Sequence, residues 1–307
     1  MTTSAVDAVL IAGPTASGKS AAALALAERI GGTIINADSM QVYREPRILT
    51  ARPSNEDMRR MPHLLYGHVS AREPYSVGRY QADAANALEQ ARQSKRVPIF
   101  VGGTGMYFSV LTEGIANTPQ VPTDLRSRVM ARRKEIGADA FHIELAGRDP
   151  QSAAHLRASD TQRVLRAYEV YEATGRPLSQ WQKEMGRPLL AGLNLWRLLL
   201  VPPRADLYAR IDARFERMIE RGALAEVAAL ANIDAALPAA KILGRRELLA
   251  VHAGTMSVED AKTAAKQATR NYAKRQLTWF RNRMADWTRL EMVDGLEIAA
   301  MLPTSTG

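Results

Sequence analysis

One octapeptide constrains this chain more than any other stretch: Gly13-Pro14-Thr15-Ala16-Ser17-Gly18-Lys19-Ser20, which fits G-x-x-x-x-G-K-[ST]. Its flanks matter as much as its letters. Ala8 to Ala12 (AVLIA) is a short, continuous apolar run that reads as a buried strand of a parallel sheet. Ser20 to Ile30 is rich in alanine and leucine, is closed by Gly31-Gly32, and reads as a helix. A glycine-rich turn in that setting points backbone N–H groups at a phosphate, and the helix adds its unpaired N–H groups and the positive end of its dipole. Lys19 then neutralises the terminal phosphate, and the Ser20 hydroxyl is a ligand for Mg²⁺. Kinases, NTPases and GTPases share this cradle, so it leaves open which phosphorylated molecule is held.

The rest of the chain continues the alternation. Thr33 to Asn36 is a second apolar run and delivers Asp38 just past its end. Segment 40–77 is irregular, with Pro46, Pro53, Pro62 and Pro74. Gly78 to Ser94 reads as a helix, and Val97 to Val101 as a third buried strand that stops at Gly102-Gly103-Thr104-Gly105, a turn opening another helix. Beyond it, short charged helices alternate with Pro and Gly and strand signals vanish. Leu195 to Val201 (LWRLLLV) restores a strand, followed by helices at Asp206 to Glu220, Ala223 to Ala231 and Glu259 to about Met284. This order predicts an α/β fold: a P-loop NTPase-like parallel sheet flanked by helices, with a core over 1–114 and 195–307 and an inserted all-helical subdomain over 115–194.

Composition narrows the chemistry. Of 307 residues, 46% are hydrophobic and 24% charged, enough for a sizeable core. The absence of cysteine excludes disulfides, thiolate catalysis and Cys-ligated zinc, and the five histidines show no paired metal spacing. The 41 basic against 32 acidic side chains leave a net charge of +9, which favours nucleic acid or an anionic small molecule as partner. No stretch reaches the roughly 18–20 apolar residues of a membrane span, and MTTSAVDAVLIAG has no basic leader region. A cytoplasmic protein with no membrane partner is expected.

Several side chains stand out. Asp38, at a strand end, reads equally as a general base, a helix N-cap or a ligand to a Mg²⁺-bound water. Thr104 lies at the C-terminal end of a strand, where α/β sites form, or caps the next helix. Arg214 is a cation for a leaving phosphate or a surface helix charge. Gln162, Arg163 and Arg166 share one helix face at spacings of three and four, suited to RNA phosphates and unstacked bases or to solvent. Val164 and Tyr168 line another face toward the core, with Asp160 or Ser159 as the cap. Lys262, Lys266, Arg270 and Lys274 recur every four residues as a basic stripe suited to an RNA backbone, and Trp279 and Phe280 read as core anchors.

Five segments in order, GPTASGKS, DSMQVYR at 38–44, GGTGMY at 102–107, DTQRVLRAYEV at 160–170 and TRNYAKRQLTWF at 269–280, resemble the signature segments of the tRNA dimethylallyltransferases, also called tRNA isopentenyltransferases or the IPP transferase family. The resemblance runs from about residue 8 to 287. It implies transfer of a dimethylallyl group from dimethylallyl diphosphate to the N6 amine of the adenosine beside the tRNA anticodon, with Mg²⁺ required and diphosphate released. It implies further that Gly13 to Ser20 holds the donor's diphosphate and that Asp38 is the base. Thr104 would sit beside the acceptor or the leaving group, and Arg214 would aid departure. By family position the tRNA anticodon stem-loop is expected to meet Asp38, Ser39, Met40, Gln41, Thr104, Arg126, Gln162, Arg163, Val164, Leu165, Arg166, Lys241, Ile242, Leu243, Gly244, Arg245 and Arg246. Insert and core would clamp the stem-loop from two sides, the target base would be flipped out of its stack, and the protein would act as a monomer.

The chain departs from the pattern in places. Ser20 stands where threonine is usual, Glu45 to Thr50 replaces a Gly-rich segment, His63-Leu64-Leu65 replaces His-His-Leu, and Arg245 replaces a tyrosine. A small-molecule kinase would explain the P-loop and Asp38 but not QRVLR or AKRQLTWF. An RNA-binding module without chemistry would leave Asp38 idle. A GTPase lacks its base-reading NKxD segment here.

Overall fold

The computed structural model of this chain describes residues 6–291, 298 and 301. Residues 1–5, 292–297, 299–300 and 302–307, which the sequence assigned to the core, lie outside the described residues. In chain order the elements are β1 (Ala8–Ala12), α1 (Lys19–Ile30), β2 (Gly32–Asn36), α2 (Asn55–Arg60), β3 (His63–Leu64), α3 (Val77–Gln93), β4 (Val97–Gly102) and α4 (Gly105–Thr112). Then come α5 (Thr123–Arg148), α6 (Pro150–His155), α7 (Thr161–Thr174), α8 (Leu178–Trp181) and β5 (Leu195–Leu200). The last are α9 (Arg204–Glu220), α10 (Ala223–Ala229), α11 (Arg245–His252), α12 (Val258–Arg283) and β6 (Thr288–Leu290).

The strands form one parallel sheet in the order β3-β2-β4-β1-β5-β6. β1 lies between β4 and β5, with Val9 opposite Ile99 on one side and Trp196 on the other, and all five of its residues are buried. That explains the unbroken apolar run: a parallel strand covered on both faces has no solvent side to alternate with. Val9, Ile11, Ile34, Ile99, Val101, Leu198 and Leu200 pack with Ala23, Leu26 and Ala27 of α1 into one apolar cluster. The sheet order brings the parallel strands β2, β4 and β1 side by side, so the loops after Asn36, Gly102 and Ala12 open together at the C-terminal end of the strands.

The chain divides into two compact units, Met1–Phe108 with Gly192–Gly307, and Ser109–Ala191. The second unit is helical. Leu125, Val129, Phe141, Leu145, Ala153, Val164, Ala167 and Tyr168 form its core, and Phe141 stacks on Tyr168 at 4.4 Å between ring centroids. Buried Asp149 ties α6 to α8: its carboxylate accepts from the N–H and hydroxyl of both Ser152 and Ser179. Burial alone would raise its pKa; those four bonds outweigh burial and hold it below the ordinary carboxylate value.

Segment 40–77 is more ordered than its prolines suggested. It contains α2, whose Ser54 hydroxyl accepts from the Asp57 N–H while the Asp57 carboxylate accepts from the Ser54 N–H, and the two-residue β3 beside β2.

Candidate active site

The loop from Gly13 to Ser20 follows β1 and runs into α1. Gly18 caps α1 with φ at 92°, a left-handed conformation that a side chain would strain, and Ala16 adopts φ 66° despite its Cβ. The first amides of α1 have no acceptor within the helix, so they face the mouth of the loop. Not every residue of the octapeptide has an amide for a phosphate. Pro14 has no N–H. The Ser17 N–H donates to the Pro14 carbonyl at 3.2 Å, and the Thr15 N–H donates to Gln276 Oε1 at 2.9 Å. The Ser17 hydroxyl is buried without a hydrogen-bond partner, a polar atom aimed at nothing in the protein. Lys19 Nζ donates to the Pro14 carbonyl at 3.2 Å, folded over its own loop.

The Lys19 ammonium is lowered to a pKa of about 8, chiefly by burial; the Asp38 carboxylate raises it and Arg214 lowers it. Arg214, on α9, donates from Nη2 to the Thr15 hydroxyl at 2.6 Å. Burial lowers its pKa to about 10, partly opposed by Asp38 and helped by Arg217. Three groups expected from the sequence, Lys19, Asp38 and Arg214, therefore share one electrostatic site although they lie on different elements.

Asp38 follows β2. Its N–H donates to Asn36 Oδ1, and its Oδ1 accepts from the Met40 N–H, both at 2.9 Å. Asn36 holds the turn, donating from Nδ2 to the carbonyls of Asp38 and Leu65. Asp38 thus sits in an Asx turn rather than at a helix N-cap. Thr104 faces the same turn: its Oγ1 accepts from the Ser39 N–H at 2.9 Å and donates to the Ser39 hydroxyl at 3.2 Å. The approach needs glycine. A Cβ on Gly102 would lie 2.0 Å from the Ala37 carbonyl oxygen, and one on Gly103 would lie 2.3 Å from Gln276 Nε2. Around Asp38, burial, and secondarily its negative charge, raise the phenols of Tyr66, Tyr107 and Tyr272 well above the ordinary value. They therefore keep their protons.

The residues expected at RNA fall into two groups. Gln162 and Arg163 are exposed on α7, Arg126 is about half exposed, and Arg166 donates to the Thr118 hydroxyl. Arg126 and Arg166 flank buried Glu169, whose pKa burial raises against both cations. Asp160 is the cap of α7. Lys241 and Arg246 are exposed. Others are committed internally. Val164 is fully buried in the core of the helical unit, so its side chain offers RNA nothing. Ile242 and Gly244 are buried, while Leu165 and Leu243 are half-buried. Arg245 is buried and donates to the carbonyls of Leu230, Ala231 and Ile233, so the cation in place of tyrosine is a structural pin. Gln41 donates to the carbonyls of Thr50 and Ala51, which makes it a loop clamp.

The basic stripe on α12 also needs correction. Lys262 pairs with Glu216 at 2.7 Å, Lys266 with Glu216, and Arg270 with Asp212. The acidic partners lie one turn apart on α9, so three of the four cations fasten two helices together. Lys274 remains exposed. Phe280 is buried, as expected of a core anchor, and Trp279 packs over Gly105.

Two residues escaped the sequence reading. Glu226, on α10, accepts from the consecutive N–H groups of Arg47, Ile48 and Leu49 at 2.8, 2.6 and 2.8 Å, holding the segment that departs from the family pattern. Gln276 bridges the P-loop and the Gly102–Gly103 turn. A signal for it existed: Ala261, Ala265, Thr269, Ala273, Gln276 and Phe280 are the buried stripe of α12, and a glutamine there must find partners.

The chain matches the IPP transferase family over residues 41–283. It is 51% identical over 293 residues to the tRNA dimethylallyltransferase of Bradyrhizobium sp. (strain ORS 278), covering 94% of this chain and 95% of that one. It is 53% identical over 286 residues to the tRNA dimethylallyltransferase of Azorhizobium caulinodans, covering 92% and 91%. Among solved structures it is similar to the full-length tRNA isopentenylpyrophosphate transferase of Bacillus halodurans, with a TM-score of 0.69, 32% identity and coverage of 97% and 96%. It is also similar to a eukaryotic dimethylallyltransferase acting on tRNA, with a TM-score of 0.79, 27% identity and coverage of 97% of this chain and 76% of that one.

Proposed function

The chain belongs to the IPP transferase family, and from that premise we infer that it transfers a dimethylallyl group from dimethylallyl diphosphate to the N6 amine of the adenosine beside the anticodon of tRNA. The observation that carries the reading is the pairing of a phosphate cradle, with Lys19 and Arg214 as its cations, and a carboxylate, Asp38, within their electrostatic reach. In the reaction the N6 lone pair attacks C1 of the dimethylallyl group. The C1–N6 bond forms as the C1–O bond breaks, and the bonding pair leaves with diphosphate. Asp38 takes the N6 proton; such base catalysis is worth about 10²–10⁴ in rate. Lys19 and Arg214 take up the charge that grows on the leaving oxygens. Thr104 and Ser39 hold the acceptor side of the turn, and the phenols of Tyr66, Tyr107 and Tyr272 stay protonated and so add no negative charge beside Asp38.

Mg²⁺ fits this loop as a partner of the diphosphate rather than of a protein cage. No acidic or histidine cluster able to hold a metal occurs among the described residues. A cation held mainly by phosphate oxygens needs few protein ligands, and the exposed hydroxyl of Ser20 at the start of α1 would supply one. When bound, the metal would neutralise leaving-group charge.

Arg126, Gln162, Arg163 and Arg166 on the helical unit, with Lys241 and Arg246, are the tRNA contacts. No helix among the described residues is long and apolar enough to cross a membrane, and a tRNA substrate points to the cytoplasm. The test is incubation with Mg²⁺, labelled dimethylallyl diphosphate and an anticodon stem-loop. Label should appear on the target adenosine. Phosphate transfer from ATP with no prenyl transfer would overturn the assignment in favour of a kinase.

A further inference from the structure

Gln276 lies on the buried stripe of α12, in the AKRQLTWF segment, and both ends of its amide are engaged. Oε1 accepts from the Thr15 N–H at 2.9 Å and Nε2 donates to the Gly103 carbonyl at 2.8 Å. The orientation is fixed by chemistry: flipped, the amide would set donor against donor and acceptor against acceptor. One contact is on the loop for the diphosphate. The other is on the turn that carries Thr104 toward Asp38. A methyl placed on Gly103 would sit 2.3 Å from Gln276 Nε2 and 3.5 Å from Asp38 Oδ2, so amide and carboxylate face one small space.

We propose that Gln276 is a positioning residue for prenyl transfer: its side-chain amide sets the separation between the diphosphate cradle and the Asp38–Thr104 turn, and so aligns the carbon electrophile with the base that receives the amine's proton. The proposal rests on the activity inferred above. Thr15 is gripped from two sides, its N–H by Gln276 of α12 and its hydroxyl by Arg214 of α9. Because the Thr15 amide is committed to Gln276, the diphosphate relies on the other amides of the loop. Removing the glutamine therefore disturbs alignment more than donor binding. Misplacement of reacting groups by about 1 Å costs on the order of 10²-fold in rate.

Gln276→Glu and Gln276→Met separate alignment from mere packing. The protonated carboxyl of the first can still donate to the Gly103 carbonyl. The ionised form cannot, and it adds a negative charge facing Asp38. The titratable groups around this space are Asp38, Lys19 of the P-loop, Arg214 of α9, and Tyr66, Tyr107 and Tyr272. The phenols keep their protons and Arg214 stays charged over the range, while Lys19, lowered to about 8, loses its proton toward the upper end in wild type and variants alike, so the ratio to wild type isolates the introduced carboxyl.

The experiment measures kcat and KM for dimethylallyl diphosphate from pH 5.5 to 8 for wild type, both variants and Gly103→Ala, which strikes the same contact from the other side. For Gln276→Glu, the ratio of its kcat to that of wild type should be near about 10⁻² at pH 8 and rise at least tenfold toward pH 5.5. For Gln276→Met it should be low and flat, and the donor KM should stay within about threefold throughout. Gly103→Ala should lose kcat likewise, which keeps the test open if a Gln276 variant does not fold. A Gln276→Glu ratio independent of pH, or a loss carried by the donor KM, would overturn the proposal. Absence of prenyl transfer by wild type would instead refute the activity on which it rests.

Discussion

Lys19 makes diphosphate binding depend on pH within an accessible range. Its ammonium is lowered to about 8 in the ligand-free protein, first by burial. An anionic ligand favours the protonated form, so binding raises that pKa and takes up a proton. The sign follows. Below about pH 8 the lysine is already charged and affinity is flat; above it, each binding event must first protonate the amine, and affinity falls. With a free-protein pKa of about 8, the dissociation constant for dimethylallyl diphosphate should rise about tenfold between pH 7 and pH 9, with uptake of about 0.9 proton per ligand at pH 9. The ligand contributes little to this trend, because the last ionisation of a phosphate ester lies near ~6. Arg214, at about 10, stays charged over the same range. Calorimetry in buffers of different ionisation enthalpy measures both quantities. Lys19→Arg should bind more weakly and lose the slope, since guanidinium does not titrate there. A wild-type affinity that is level from pH 7 to 9, with no proton uptake, would refute the argument.

Three further outcomes follow from the geometry. Asp38→Asn should lower kcat by about 10²–10⁴ in single-turnover prenyl transfer while the donor KM changes little, because the substitution removes the proton acceptor and not the cradle. Glu226→Gln should cost about 2 kcal/mol in urea denaturation, since one carboxylate receives the N–H groups of Arg47, Ile48 and Leu49 and the amide's NH₂ end would face a donor. Arg245→Met should cost about 2–4 kcal/mol by leaving the carbonyls of Leu230, Ala231 and Ile233 without their donor, yet leave the KM for the stem-loop unchanged; a raised RNA KM at unaltered stability would restore Arg245 to the interface.

The parts of this molecule that were legible in the sequence are those where local chemistry dictates structure. β1, β2 and β4 appear as apolar runs because each is buried on both faces, as is the second half of β5, and the P-loop appears as a motif because its backbone needs glycine at Gly18. β3 has two residues and β6 three, too few to display any period, and α2 hides among prolines. The tertiary commitments of polar side chains were not legible. Arg245 is as basic as Arg246 in the sequence, yet one is buried against carbonyls and the other is exposed. Gln41 stands in the DSMQ run beside Asp38, but its amide closes a loop. Glu226 lies far in sequence from the amides it holds.

The basic stripe shows how such commitments change an electrostatic argument without abolishing it. Lys262, Lys266 and Arg270 meet Asp212 and Glu216 across the α9–α12 contact, so an RNA backbone would have to compete with carboxylates already in place. Pairing removes acids along with bases, however, and the excess of nine positive charges must still be displayed elsewhere. Arg126, Arg163, Lys241, Arg246 and Lys274 are the expected or striped cations that remain substantially exposed. Arg163 lies 3.6 Å from Asp160, an exposed pair worth little that yields readily to a phosphate, whereas the exposed Arg246 guanidinium bonds a Glu247 carboxylate that is itself buried. With the tRNA contacts proposed above, the field that draws in RNA would come from separate points on each unit rather than from one helix. Neutralising Arg163, Lys241 or Arg246 singly should flatten the salt dependence of stem-loop binding by about one unit of slope each, whereas neutralising Lys266 should lower stability and leave that slope nearly unchanged.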